Sequence, residues 1–271
     1  MDRKTASELQ VHMFGTYYSL RLGLAVIGVA LPLALLLAGG LLHDVWFEGS
    51  ISAYYHTGSQ VDLFTTRDLF VGGLLAAGAC LYLYKGFSDA ENLALNLAGV
   101  FAVLVALLPT AATEADRGVV SMLHGTAAVL FFLCIAYVSL FRSRDTLRLL
   151  PEEQRARFAR LYDAVGGAMI VSPLIAVVLS YTIKPGTLIF WVETLGIWAF
   201  AAYWFFKTVE MRRSQAEQRA LEGELKREVG LESAATPEGG RSHLDRLLRR
   251  PPAGARGRPC IVPAGAADTV P

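Results

Sequence analysis

Leu22-Gly23-Leu24-Ala25-Val26-Ile27-Gly28-Val29-Ala30-Leu31-Pro32-Leu33-Ala34-Leu35-Leu36-Leu37-Ala38-Gly39-Gly40-Leu41-Leu42 carries no charged side chain from end to end. A helix crosses the roughly 30 Å hydrocarbon layer of a bilayer in about 20 residues, so this run reads as a span. It is long for the apolar core of a signal peptide, starts well inside the chain and is followed by no clear small-x-small cleavage site. These features predict a retained first span.

Hydrophobic residues make up 54% of the 271 residues and mean hydropathy is +0.41, more than a water-soluble fold of this length needs. Working outward from the first run, taken as Leu20 to Leu42, five more qualify: Asp68 to Tyr84, Leu93 to Pro109, Gly118 to Phe141, Tyr162 to Tyr181 and Leu188 to Phe206. The expected fold is an all-α, polytopic membrane bundle of six transmembrane helices. The second and third runs are short, which predicts little tilt or helix that continues past the hydrocarbon.

Lys and Arg in short loops are retained on the cytoplasmic side, and their positions alternate here. Arg3, Lys4 and Arg21 precede the first span, Lys85 follows the second, and Arg142, Arg144, Arg148, Arg155, Arg157 and Arg160 lie between the fourth and fifth. The opposite side receives Arg67, Arg117 and Lys184 with the acids Asp44, Glu48, Asp62, Glu114 and Asp116. Lys207, Arg212 and Arg213 follow the last span. The expectation is a multi-pass protein of a bacterial cytoplasmic membrane with both termini inside.

Four segments follow: a cytoplasmic N-terminal stretch over 1–19, the six-helix domain over 20–206, a charged cytoplasmic helix over 207–230 and a disordered tail over 231–271. Leu221, Leu225 and Val229 at helical spacing, with Glu222 four residues before Lys226, support the charged helix. Gly, Pro, Ala and Arg dominate the tail and leave little to build a core around. The net charge of +1 and the lack of an aromatic-interleaved basic patch argue against a nucleic-acid partner. Cys80, Cys134 and Cys260 form neither a disulfide framework nor paired CxxC metal spacing, and no cofactor motif is present.

Small residues allow helix backbones to approach closely in a membrane. Gly72, Ala76 and Cys80 repeat every fourth residue, with Gly73 and Ala77 beside them, and Ala94, Ala98, Ala102 and Ala106 line the third span. A tight antiparallel hairpin across Lys85 to Glu91 is expected. Pro32 and Pro173 fall inside spans, where each removes a backbone donor.

Ionisable residues at membrane depth are costly and mark candidate sites. Asp68, His124 and Glu193 are the candidates for acid–base work, with Arg67 as the group to grip a phosphate or carboxylate. The bland reading is that Arg67 pairs with Asp68, Asp116 or Glu193 and fastens helices. Ser50, Ser52 and Tyr55 complete the candidate ligand-binding set. Either serine becomes a nucleophile only if a base reaches it, and no GxSxG elbow surrounds them, so turn or cap chemistry is the simpler role. Trp46, Tyr54, Tyr55, Trp191, Trp198 and Trp204 fit aromatic belts, and Asn92 and Asn96 fit interhelical glue. A metal site would have to use His43, His56 and His124 with Asp44 or Asp68, and no HExxH or HxxxH spacing supports it.

The Ser50-Ile51-Ser52-Ala53-Tyr54-Tyr55 run, the entry Arg67-Asp68-Leu69-Phe70-Val71-Gly72, and Asn92, Asn96, Ala98 and Gly99 resemble a group of uncharacterised bacterial six-span membrane proteins. More remotely they resemble the DRAM/Frag/Sfk-type families. The resemblance covers about Leu20 to Phe206; it implies the topology and defines no active site. Binding or organising lipid or a membrane partner, including another copy of the chain, is the first functional expectation. A membrane enzyme acting on a lipid or lipid-linked substrate at the outer leaflet is second. A small-solute transporter is third, because no inverted repeat with broken segments is evident.

Overall fold

Regular structure is helical throughout residues 3–58, 64–112, 118–182 and 187–217, which a computed structural model of the chain describes. Asp62, Glu114, Asp116, Arg117, Lys184, the distal part of the expected charged helix and the whole expected tail lie outside those residues. The helices are α1 (Arg3–His43), α2 (Thr66–Leu83), α3 (Asp89–Leu107), α4 (Val119–Tyr137), α5 (Arg144–Leu147), α6 (Glu152–Thr182) and α7 (Thr187–Ser214). A 3-10 turn over Ser52–His56 precedes α2, and a π turn over Val138–Arg142 carries α4 towards α5. Among the described residues, six stretches, in α1, α2, α3, α4 to α5, α6 and α7, are long and apolar enough to cross a membrane.

The helices outrun the apolar runs that announce them. Helix α6 begins at Glu152 rather than near Tyr162, and α7 continues past Phe206 to Ser214. The start of the stretch expected as a charged cytoplasmic helix is thus enclosed, with Lys207, Thr208, Glu210, Met211 and Ser214 all buried. Gln215, at φ 50°, follows the end of α7.

Neighbours around the bundle form a ring: α1 packs on α2 and α7, α3 on α2 and α4, and α6 on α4 and α7. Its polarity is inverted relative to a protein in water. Val26, Val29, Leu33 and Leu37 of α1 and Leu174, Ile175 and Val178 of α6 face outward, whereas Arg21, Glu91, Lys207 and Glu210 are buried. Apolar surface of this extent is stable against lipid tails and not against water. The chain is therefore a multi-pass membrane protein.

The α2–α3 hairpin rests on glycine. A Cβ on Gly78 would come within 2.9 Å of the Gly99 carbonyl oxygen, and one on Gly99 within 2.7 Å of that of Gly78. Ala94, Ala98, Ala102 and Ala106 are buried as a stripe, as their spacing predicts. On α2 the packed row lies one residue over from the expected one: Ala77, Gly78 and Leu81 are buried, while Gly72 and Ala76 are exposed. Gly73 and Ala77 share the fourfold spacing of Gly72 and Ala76 one residue over, so spacing alone does not choose between the two pairs. Gly73 meets α1 instead, with Leu31 where its Cβ would stand.

Candidate functional site

The connection from α1 to α2 is folded back onto the bundle end by its own polar groups. Asp44 adopts φ 56° and turns the chain out of α1, and the Val45 N–H donates to the Gly39 carbonyl at 2.9 Å. Gly39 and Gly40 leave room for the rings of Tyr54 and Trp46, which occupy the space a Cβ would need. The buried Tyr54 hydroxyl donates to the Trp46 carbonyl at 2.8 Å, and burial pushes its phenol above the ordinary value. Thr66, at the start of α2, donates to the carbonyls of Tyr54 and Thr57 at 2.6 and 2.9 Å. Thr57 donates to Glu48 at 2.6 Å.

Two of the candidate ionisable residues meet on this connection. Glu193 Oε2 of α7 accepts the Ile51 N–H at 2.6 Å. His124 of α4 is buried, with Nε2 at 3.0 Å from Ser52 Oγ and Nδ1 at 2.7 Å from the Leu108 carbonyl oxygen. A carbonyl only accepts, so Nδ1 bears the ring proton and Nε2 of the neutral ring accepts from the serine. Ser50 closes a local turn, its Oγ accepting the Ala53 N–H at 3.0 Å.

Arg67 and Asp68 do not join them. Asp68 turns back to the entry of its own helix and accepts from the Thr65 N–H and hydroxyl at 2.8 and 3.0 Å, where a carboxylate also faces the positive end of the helix dipole. The Arg67 guanidinium lies over the Tyr55 ring, 4.5 Å from its centre. The four-residue cluster weighed from sequence resolves into a His124–Ser52–Glu193 group and a separate Arg67–Tyr55 stack. His56 Nε2 bonds the Thr110 carbonyl at 2.8 Å. No three His, Cys, Asp or Glu side chains among the described residues converge as a metal-binding group.

The opposite end buries Lys207 and Arg21, whose expected part was to orient the chain, and pairs them with acids. Lys207, 1% exposed, donates to Glu210, 0% exposed, at 2.9 Å and to Thr146 at 2.7 Å. Tyr162 donates to the same Glu210 oxygen at 2.7 Å. Arg21 of α1 donates to Tyr84 at 3.2 Å and to Glu217 at 2.6 Å. Tyr84, just past the end of α2, is buried and has its phenol raised by that burial. Glu91, also buried, accepts the Phe87 N–H at 2.8 Å, and Arg142 reaches Ser88 at 2.9 Å. Side chains from all six spans or their ends therefore meet here. The Lys207–Glu210 spacing of three, on a helix face that would otherwise be apolar, was the available signal.

A cleft of about 470 Å³ opens at this end between α6 and α7. Leu161, Phe205, Phe206 and Val209 form its apolar walls, and Arg157 and Arg213 stand on it with Glu153, Gln154 and Phe158. Arg157 pairs with Glu153 at 2.5 Å, both side chains largely exposed. The Arg213 guanidinium lies 5.9 Å from the Phe158 ring centre.

The chain matches no protein-family model, no curated protein and no solved structure.

Proposed function

We propose that this membrane protein binds anionic phospholipid at the α6–α7 cleft, and that this cleft faces the cytoplasm together with both termini. The observation that carries the reading is the pairing of two guanidinium groups, Arg157 and Arg213, with the apolar walls formed by Leu161, Phe205 and Phe206. A phospholipid is the ligand that needs both: a phosphate for the arginines and an acyl chain for the walls. The Glu153–Arg157 pair does not compete strongly, since exposed pairs contribute only about 0–1 kcal/mol. The basic loop between the fourth and fifth spans and the resemblance to six-span bacterial proteins support the same orientation.

Native mass spectrometry of the protein released from mixed phosphatidylglycerol and phosphatidylcholine nanodiscs tests the binding. Phosphatidylglycerol adducts are expected to outnumber phosphatidylcholine adducts, and the double substitution Arg157→Ala, Arg213→Ala to weaken the preference by about 1 kcal/mol per arginine. Equal retention of both lipids by the unsubstituted protein rejects the reading. Cys260 tests the orientation: a membrane-impermeant maleimide is expected to modify it only after cells are opened.

A further inference from the structure

The Ser52–His124 pair carries an inference independent of the lipid cleft at the other end of the bundle. A serine hydroxyl that donates to an imidazole, itself oriented through its second nitrogen, is the arrangement that makes serine a nucleophile. Here the Leu108 carbonyl fixes the tautomer at 2.7 Å, and the free lone pair of Nε2 lies 3.0 Å from Ser52 Oγ. The ring is buried whereas Ser52 retains part of its exposure, so the base is shielded and the nucleophile reachable. Glu193 acts as a positioning residue. By holding the Ile51 N–H at 2.6 Å it fixes the backbone from which the hydroxyl projects.

The surroundings indicate the substrate class. Trp46, Phe47 and Phe64 are exposed on this connection, as aromatic side chains are at the boundary between hydrocarbon and headgroups. The acyl ester groups of glycerolipids lie at that depth.

We propose that Ser52 and His124 form an acyl-transfer site for carboxylic esters of membrane lipids. Ser52 Oγ attacks the ester carbonyl carbon while His124 Nε2 takes the hydroxyl proton. The carbon–oxygen bond to the alcohol breaks, and the alcohol leaves with the proton from Nε2. Water then attacks the acyl-serine, giving its proton to Nε2, and the carboxylic acid departs as Ser52 recovers a proton from the ring. Because Glu193 holds the Ile51 N–H beside the nucleophile, the tetrahedral oxyanion receives no stabilisation from that donor. Slow turnover is expected, and the adduct on Ser52 is the informative readout.

The test treats the full chain in nanodiscs with an alkyl fluorophosphonate, and separately with p-nitrophenyl hexanoate, and maps adducts by peptide mass spectrometry. Phosphonyl and hexanoyl adducts on Ser52 are expected. His124→Gln should slow phosphonylation at least about a hundredfold, the effect of losing a general base. Thermal unfolding of that variant is followed in parallel. No adduct on Ser52 in the unsubstituted protein overturns the proposal whatever the variant does. Equal labelling rates in the unsubstituted protein and a folded His124→Gln variant overturn it as well.

Discussion

Glu193 and Tyr54 hold the same connection by different chemistry, and each is testable as a single residue. Glu193→Ala leaves the Ile51 N–H without its acceptor at 2.6 Å. Loss of a partner for a buried polar group costs about 1–3 kcal/mol, to be read as a lower unfolding temperature and faster proteolysis near Ser52. Tyr54 is governed by pH. Its proton is held more tightly in the folded chain than in the unfolded one, because burial raises the phenol. The associated stability is complete below the ordinary phenol value near 10 and is lost as pH rises through the higher folded value. Tryptophan fluorescence of the protein and of a Trp46→Phe variant, compared through an alkaline titration, is expected to report release of the connection above the ordinary phenol range; a Trp46 contribution that stays flat to the end of the titration would count against this. Sequence marked Glu193, His124 and Ser52 individually. It did not show that they meet, because Ser52 reaches His124 only through the fold-back of a connection set by Asp44 in a left-handed conformation. Asp68 lies apart for a local reason: a carboxylate near the start of a helix has backbone donors at hand, here the Thr65 N–H.

Between elements, the contacts set which substitutions are tolerated. Gly99→Ala places a methyl 2.7 Å from the Gly78 carbonyl, and backbone has little room to yield, so a loss of about 1–3 kcal/mol is expected. Gly72→Ala meets no atom within 4 Å and is expected to gain up to about 1 kcal/mol from helix propensity. Unfolding of the two variants in the same detergent compares them directly, and a Gly72→Ala loss as large as that of Gly99→Ala would refute the observed packing row. Such rows are half legible in sequence. The alanine stripe of α3 stands alone and is read correctly, whereas on α2 the Gly72/Ala76 and Gly73/Ala77 pairs share one spacing and the closest contact, Gly78, lies outside both.

At the scale of the whole molecule, six spans were plain from apolar length alone, since no water-soluble arrangement hides that much surface. The polar tie across the ring was not, because Lys207 and Arg21 also satisfy the rule that basic residues flank spans. Lys207→Met is expected to leave Glu210 inside the bundle without its cation, with only the Tyr162 hydroxyl as partner, at about 3–5 kcal/mol. The double substitution Lys207→Met, Glu210→Met should recover much of that loss. If chemical unfolding instead finds the double variant as unstable as the single one, the ion pair is not what Lys207 contributes.

The π turn over Val138–Arg142 gives this tie an unusual dependence. Its closing bond runs from the Ser143 N–H to the Val138 carbonyl at 2.9 Å, one residue further apart than an α-helical bond, and Ser139 is fixed to the Tyr162 carbonyl at 3.0 Å. The wider turn amounts to one inserted residue, which advances everything after it by about 100° around the helix. Thr146 faces Lys207 in this phase. Removing one residue from the turn would restore an ordinary helix and swing Thr146 off its target with no change in composition. The attachment of the basic loop to the bundle thus depends on the number of residues in the turn as well as on their kinds, and a one-codon deletion there should be more damaging than most substitutions.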